Sequence, residues 1–166
     1  MIIGYEGSNN QVNAPDKVAA CLKHFLGYSV PYSGKDRTPA FIPETELRER
    51  HLPVFKAALA QGVHSVMLNS GLINGTPVHA SKKLVNDLLK EELGFSGLVV
   101  TDWQDIENLH SRDKVAATRK EAVKMAINAG VDMSMIPYNF DFCTFLIELV
   151  NEGEVPMSRI DDAVRR

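Results

Sequence analysis

Cysteine and tryptophan are scarce in this chain of 166 residues. The two cysteines, Cys21 and Cys143, are too few for a disulfide framework and lack the spacing of a metal motif. Both lie among apolar residues, so we expect them to be buried free thiols. The histidines at 51, 64, 79 and 110 form no HExxH-type pattern, and the sequence therefore gives no reason to expect a metal site.

Long apolar runs and an excess of one charge are also missing. No run approaches the roughly 20 residues that span a membrane, and no basic segment followed by an apolar one marks a signal peptide. The formal net charge is −3, which lacks the basic character of a nucleic-acid-binding protein. With 45% hydrophobic and 23% charged residues, the chain has the composition of one globular domain with a sizeable core.

Short apolar runs alternate with segments of helical periodicity. Buried strands are predicted at 17–23, 65–68, 98–101 and 131–135. Helices are predicted at 44–61, from a Ser81 cap to 93, at 114–129 and at 140–152, each followed by glycine. A last helix begins at Ser158, with Asp161 placed for a capping box.

This alternation predicts parallel β/α units. Four units do not close a (β/α)₈ barrel, so the chain is expected to form about half of one. A flavodoxin-like open sheet is the alternative. Polar residues that cluster after each strand, and a final helix that still continues at the end of the chain, favour the half-barrel.

Side chains that could bind a substrate or react with it lie where the predicted strands end. These are Lys23 and His24, Met67, and the pair Asp102 and Trp103. Strand ends of a β/α barrel face one mouth, so the five are expected to meet there. A cation, an imidazole, a carboxylate, an indole and a thioether resemble the lining of a sugar site, where a carboxylate attacks or stabilises the anomeric carbon.

Each of these residues also has a simpler interpretation. Asp102 could be a helix N-cap, and Lys23 could be a Schiff-base lysine or the ion-pair partner of Asp102. His24 could be structural, and Trp103 and Met67 could belong to the core. Lys23 and His24 can both face the mouth only if the strand is irregular, because neighbours in a strand alternate between faces. The dipeptide 36–37 lies in a loop that is either solvated or part of the rim.

Five segments in order resemble glycoside hydrolase family 3. KHFLGY (23–28) resembles the Lys-His-Phe signature of the family, and GFSGLVVTDWQDI (94–106) resembles its nucleophile signature. The other segments similar to the family are VMLNSGLINGTPVHAS (66–81), AGVDMSM (129–135) and SRIDDAVRR (158–166).

The resemblance implies a retaining β-glucosidase that cleaves terminal non-reducing β-D-glucosyl residues through a glycosyl-aspartate intermediate. Asp102 matches the nucleophile, and Lys23 and His24 match residues that hydrogen-bond sugar hydroxyls. Trp103 matches an aromatic that flanks the sugar, and Met67 matches a packing residue of the same wall. No metal or organic cofactor is required.

Parts of the family pattern are missing. The general acid of the family's β-glucosidases is a glutamate of a following α/β domain, and nothing here matches the aspartate and arginine of the earlier strands. Asp36 is present, but no histidine follows it, which argues against the hexosaminidase branch. Residues 1–166 are therefore expected to be one partial domain, the second half of the family's N-terminal barrel, without the following domain.

The expected partners are a β-glucoside or oligosaccharide substrate and the remainder of the same enzyme, with no nucleic acid and no membrane. The resemblance favours a periplasmic or secreted location. The alternatives to a β-glucosidase are a β-xylosidase or exo-β-glucanase of the same family, a Schiff-base barrel aldolase, or a non-catalytic sugar-binding remnant.

Overall fold

Parallel strands form the centre of the computed structural model, which describes residues 1–8 and 11–166. The strands are β1 (Cys21–Phe25), β2 (Ser65–Leu68), β3 (Leu72–Ile73), β4 (Thr76–Pro77) and β5 (Leu98–Val100). β1, β2 and β5 pair in parallel in that order, and β3 and β4 form a short antiparallel hairpin. The hairpin lies within a segment in which no strand is predicted from sequence.

Helices connect and cover these strands. They are α1 (Ile2–Glu6), α2 (Glu44–Glu46), α3 (Leu52–Leu59), α4 (Asp105–Ser111), α5 (Arg119–Ala129), α6 (Asp141–Asn151) and α7 (Met157–Arg165). Segments with π-helical winding, Leu47–His51 and Lys83–Glu92, and the 3₁₀ turn Val78–Ala80 complete the pattern. The predicted helices at 44–61, 81–93 and 140–152 are confirmed within two residues at each end. In the described part of the chain, no helix is long and apolar enough to cross a membrane.

The core lies between the sheet and the helices. Phe25, Val66 and Val99 of the three parallel strands are fully buried, as is Leu89 of the segment Lys83–Glu92. Gly97, just before β5, runs so close to β2 that a Cβ atom there would lie 2.3 Å from the His64 carbonyl oxygen. Only glycine allows this approach, which brings β5 into register with β2.

The prediction of the first strand is wrong in its boundaries, because the strand begins at Cys21 rather than at Lys17. The Val18 N–H donates to the Tyr5 carbonyl, and the Ala20 N–H donates to Glu6 Oε1. These donors are committed to the N-terminal segment, so residues before Cys21 do not join the ladder with β2.

The predicted fourth strand, 131–135, is reduced to one parallel bridge between Val100 and Met133. The segment does lie beside β5, and the Met133 N–H donates to the Val99 carbonyl, but side chains take two of the other main-chain donors. The Val99 N–H donates to Asp132 Oδ2, and the Met135 N–H donates to Thr101 Oγ1. The ladder is therefore interrupted on both sides of the bridge.

Three further predictions are wrong. The helix predicted at 114–129 begins only at Arg119, as α5, after a loop at 112–118, and α4 lies before that loop where no helix is predicted. The cap of α7 is Pro156 without a side-chain hydrogen bond, so Ser158 and Asp161 lie inside the helix and form no capping box. Cys21 and Cys143 are free but exposed, because apolar neighbours in sequence do not say which way a side chain faces.

Asp132 is the polar centre that joins the elements on this side of the sheet. Its carboxylate, 0% exposed, accepts from Lys90 Nζ at 2.7 Å and from Arg159 Nη2, besides the Val99 N–H. Arg159 also donates to the Val131 carbonyl at 2.8 Å. One carboxylate thus holds the segment Lys83–Glu92, β5 and α7 together.

Replacing Asp132 with alanine should strongly destabilise the protein. The side chain of Lys90 is only 4% exposed, so the change leaves its ammonium group buried without its main partner. We expect the free energy of unfolding to fall by about 3–5 kcal/mol in urea titrations. Asp161→Ala is the matched control, since that side chain is 57% exposed and should change stability by less than about 0.5 kcal/mol. Equal effects of the two substitutions would contradict this role of Asp132.

Candidate active site

The predicted site residues lie at one end of the sheet, where its parallel strands terminate. His24 is in β1, Met67 is in β2, and Asp102 follows β5 after one intervening residue. Because the strands are parallel and adjacent, their C-terminal ends lie at the same end of the sheet. The topology thereby brings together groups that are far apart in sequence.

Asp102 is the centre of this group. Its side chain is 10% exposed, and Oδ1 accepts a hydrogen bond of 2.6 Å from the Trp103 N–H. Arg37 Nη2 lies 3.4 Å from the same oxygen, and His24 Nε2 lies 3.5 Å from Oδ2. Among the described residues, Oδ2 has no hydrogen-bond partner. One carboxylate oxygen is thus held by donors, while the other is left without one.

The helix-cap interpretation of Asp102 does not match the structure. The residue at the N-cap of α4 is Gln104, in a left-handed conformation with φ of 60°. The Asp102 carboxylate bonds to the N–H of the next residue, Trp103, which precedes that cap. Its position therefore serves no helix terminus.

Lys23 and His24 have different surroundings. His24 is half-buried and stacks on Tyr28 with ring centroids 4.4 Å apart. Burial lowers the pKa of His24, and the Asp102 carboxylate opposes this shift. Lys23 is exposed and borders, with His24 and Tyr28, a cavity of about 350 Å³. The strand is irregular here, since its register with β2 shifts between Leu22 and Phe25.

The ion-pair partner expected for Asp102 is replaced by another. Among the described residues, the basic side chains within 4 Å of the Asp102 carboxylate are those of His24 and Arg37, and not that of Lys23. Arg37 reaches the site from the loop after β1, with φ of 60°, and Asp36 of the same loop accepts from the Tyr28 hydroxyl. That hydrogen bond raises the pKa of Tyr28. The loop at 36–37 is therefore part of the site, the rim interpretation allowed by the sequence.

Trp103 and Met67 take different positions beside Asp102. Trp103 is 44% exposed, more than a core residue would be, and meets Tyr138 edge-on with centroids 6.1 Å apart. Met67 is half-buried in β2. The exposed indole has the apolar face that suits stacking on a sugar ring.

His79 and Asp105 lie beneath Asp102, and sequence analysis assigns neither a role. His79 is 2% exposed, and its Nε2 lies 3.3 Å from the Asp102 backbone nitrogen. Its Nδ1 lies 3.8 Å from Asp105 Oδ2. The PVHA segment alone shows a histidine but gives no sign that it reaches the strand end.

Another cavity among the described residues, about 580 Å³, lies at the opposite end of the sheet, between residues 62–64 before β2 and 94–97 before β5. Searched over residues 1–8 and 11–166, the protein has no cluster of three or more His, Cys, Asp or Glu that could hold a metal ion.

The burial of His79 predicts a loss of stability in acid. Burial lowers its pKa from 6.5 to about 3, so below pH 6.5 the unfolded chain binds a proton that the folded chain does not. Folding stability from this group is therefore complete above pH 6.5 and falls as the pH drops, by about 2 kcal/mol at pH 5. Urea titrations at pH 7 and pH 5 measure this loss. The loss should be smaller by that amount in His79→Gln, whose side chain does not titrate, and an identical loss in both proteins would contradict it.

The comparisons with known proteins agree with the family suggested by the sequence motifs. Residues 1–166 match the model of the glycosyl hydrolase family 3 N terminal domain. A lysosomal β-glucosidase of Dictyostelium discoideum is 47% identical over 168 residues, which cover 98% of this chain and 20% of that protein. A β-xylosidase of Formosa agariphila is 34% identical over 171 residues, covering 99% of this chain and 24% of that protein.

A solved structure gives the same result. The exo-1,3/1,4-β-glucanase of a Pseudoalteromonas species superposes with a TM-score of 0.90 and 38% identity, over 100% of this chain and 20% of that chain. The chain thus spans 20% to 24% of the length of these proteins. The predicted fold class, parallel β/α units of a barrel-type domain, is confirmed. The chain belongs to glycosyl hydrolase family 3, and it matches the N-terminal domain of that family.

Proposed function

We propose that this chain supplies the nucleophile of a retaining β-glucosidase, with Asp102 as the attacking carboxylate. The observation that carries the proposal is the asymmetry of that carboxylate. Oδ1 is oriented by the Trp103 N–H and faces Arg37, whereas Oδ2 has no hydrogen-bond donor among the described residues. An oriented carboxylate with one oxygen that no hydrogen-bond donor holds is what attack on an anomeric carbon requires.

The surroundings of Asp102 suit a sugar in the same way. His24 and Lys23 are hydrogen-bonding groups near the C-terminal end of β1, and Trp103 presents an exposed aromatic face. Met67 lies on the strand between them. Polar groups that bind hydroxyls and an aromatic ring that stacks on the apolar face of a pyranose form a sugar subsite. The names of the relatives, a β-glucosidase among them, support a terminal β-D-glucosyl residue as the substrate.

The reaction follows in two steps. In the first, Asp102 Oδ2 forms a bond to the anomeric carbon while the bond from that carbon to the leaving oxygen breaks. The leaving oxygen takes a proton from a general acid. In the second step, the same acid residue, now deprotonated, acts as a base and removes a proton from water, which attacks the anomeric carbon and releases Asp102.

The general acid is proposed to come from outside this chain. The chain spans about a fifth of the Dictyostelium relative, so most of a relative's length lies elsewhere. We further propose that residues 1–166 are the second half of the N-terminal barrel. Within the described residues, β1 pairs on one edge only, with β2, and Val18 just before it is 59% exposed. Earlier barrel strands and the following domain of the same enzyme would cover this edge and complete the site.

A β-xylosidase is the second candidate, because a relative 34% identical over nearly the whole chain carries that name. An exo-β-glucanase remains a third choice for the same reason. The described residues contain nothing that distinguishes a glucosyl from a xylosyl group. The ratio of kcat/KM for 4-nitrophenyl β-glucoside and β-xyloside therefore decides between them, and we expect it to favour the glucoside.

Two candidates from other classes fit less well. A Schiff-base aldolase needs a lysine whose charge is suppressed by burial, and Lys23 is exposed. Borohydride would trap such a lysine with a carbonyl substrate, and we expect no adduct. A sugar-binding remnant would bind glucose without turnover even in the full natural polypeptide.

The nucleophile can be identified by labelling. We expect 2-deoxy-2-fluoro-β-glucosyl fluoride to add one fluoroglucosyl group to the peptide that contains Asp102, because fluoride leaves with little help from an acid. The full natural polypeptide that contains this chain is incubated with the reagent, digested and analysed by peptide mass spectrometry. Asp102→Ala should remove the label and lower kcat at least about 10⁴-fold, the scale seen when a catalytic nucleophile is lost.

Asp87→Asn serves as the control, since Asp87 is partly exposed on the segment Lys83–Glu92 and pairs with Lys82. It should be labelled and turned over like the wild type. A label on another carboxylate would refute the assignment of Asp102. A polypeptide that hydrolyses neither glucoside nor xyloside would refute the proposed function as a whole.

A further inference from the structure

Two buried polar side chains, His79 and Asp105, lie in a row behind the backbone of the proposed nucleophile and have no part in the two reaction steps. The Asp102 backbone N–H donates to the imidazole of His79, and the other side of that ring lies next to the carboxylate of Asp105. Both side chains are nearly inaccessible, at 2% for His79 and 0% for Asp105. Neither reaches the sugar side of Asp102, so their effect on the reaction has to pass through the position of Asp102.

The geometry fixes the hydrogen on the imidazole ring. A backbone N–H can only donate, so His79 Nε2, 3.3 Å from the Asp102 nitrogen, must accept. Burial keeps the ring neutral by lowering its pKa to about 3. A neutral imidazole carries one hydrogen, which is therefore on Nδ1. That Nδ1–H faces Asp105 Oδ2 at 3.8 Å.

Asp105 has an oxygen ready for this hydrogen. Its Oδ1 accepts from Asn108 Nδ2 at 2.7 Å and lies 3.5 Å from Arg112 Nη1. Its Oδ2 is buried and, among the described residues, has no hydrogen-bond partner. This oxygen lies 3.8 Å from His79 Nδ1, and a carboxylate oxygen near Nδ1 favours the tautomer that keeps the hydrogen there, in which Nε2 accepts from Asp102.

The Asp102 N–H has no equivalent partner in the sheet. β5 ends at Val100. The N–H groups of Thr101 and Gln104 donate to the carbonyls of Met133 and Met135 in the neighbouring segment, whereas the Asp102 N–H between them is directed to His79 Nε2. Without His79 the buried amide would have to turn toward another acceptor, because a buried donor rarely stays unpaired. A turn of this peptide moves the carboxylate that follows it.

We propose that His79 and Asp105 are positioning residues for the nucleophile: His79 fixes the Asp102 peptide by accepting its N–H, and Asp105 holds His79 in the accepting tautomer. This inference rests on the proposed function of Asp102. Misplacement of a reacting group by about 1 Å can lower the rate about 100-fold. His79 and Asp105 therefore affect kcat rather than the binding of substrate.

The test compares three variants in the full natural polypeptide with an aryl β-glucoside. His79→Leu removes the acceptor and should lower kcat about 100-fold, with KM changed less than about threefold. His79→Gln places an amide oxygen near the position of Nε2 and should restore kcat to within about fivefold of wild type. Thermal unfolding of each variant shows whether the loss follows stability instead.

Asp105→Asn, the third variant, tests the tautomer. Its amide can donate to Nδ1, which would move the imidazole hydrogen to Nε2 and set two donors against each other at the Asp102 N–H. We expect kcat to fall at least about tenfold in the wild-type background and to change little in the His79→Gln background, where no tautomer exists. Asp113→Asn is the matched control: Asp113 pairs with Arg112 as Asp105 does, and its charge acts on His79 through space without selecting a tautomer, so kcat should stay within about twofold.

A spectroscopic readout keeps the inference testable if His79→Leu does not fold. The ¹⁵N shifts of the His79 ring should show a protonated Nδ1 and an unprotonated Nε2 between pH 5 and 8. The opposite tautomer, a normal kcat in His79→Leu, or a loss that His79→Gln does not restore would each overturn the inference. If Asp102→Ala retains activity, or the wild type has none, the proposed function fails and the inference fails with it. If Asp102→Ala is inactive and His79→Leu is normal, only the inference fails.

Discussion

The buried Asp132 carboxylate is the interaction on which the arrangement of this chain depends. A single acidic side chain without exposure accepts from Lys90, from Arg159 and from the Val99 N–H, and so ties β5 to the segment Lys83–Glu92 and to α7. Three donors satisfy a charge that would otherwise be very costly to bury. The same contact interrupts the pairing of 131–135 with β5, so this segment does not form a complete fourth strand. Asp132 acts instead as a polar anchor for β5. Because β5 leads directly to Asp102, the anchor also sets the position of the proposed site.

The site itself is built from two layers of polar groups around one carboxylate. Above it are groups from the end of β1 and the following loop, His24 and Arg37, that face the oxygens of Asp102. Below it is the neutral, fully enclosed imidazole of His79, which contacts the backbone rather than the carboxylate. The upper layer determines which groups a substrate meets, and the lower layer determines where the carboxylate stands. Arg37, a charged residue, therefore lies on the open side, whereas on the buried side a histidine that does not ionise in the neutral range separates the Asp102 backbone from Asp105.

The open edge of the sheet gives the architecture a second constraint. A parallel sheet normally has both faces and both edges covered by the elements that connect its strands. Here β1 pairs along one edge among the described residues, and exposed apolar side chains stand beside it and beside the site, such as Val18 and Trp103. The chain matches about a fifth of the length of the Dictyostelium relative, and the proposal above assigns the cover of this edge to other parts of the same enzyme. The contacts of the described residues show how the proposed nucleophile is held, and the same proposal assigns the leaving-group side of the reaction to those other parts.

The sequence by itself determined the local elements and the family. Glycine stops, helical periodicity and short apolar runs are local signals, so β2 and the helices around 44–59, 83–92 and 141–151 were predictable, as was the place of Asp102 after a buried strand. Only the tertiary structure decided what surrounds Asp102. Arg37 and His79 are 65 and 23 residues away in sequence, and no periodicity links them to it. Tertiary structure also shortened two predicted strands, because Glu6, Asp132 and Thr101 take up main-chain donors that a strand would use. Long-range hydrogen bonds from side chains to the backbone leave no pattern in a sequence, and for that reason the supporting residues of the site became visible only in the fold.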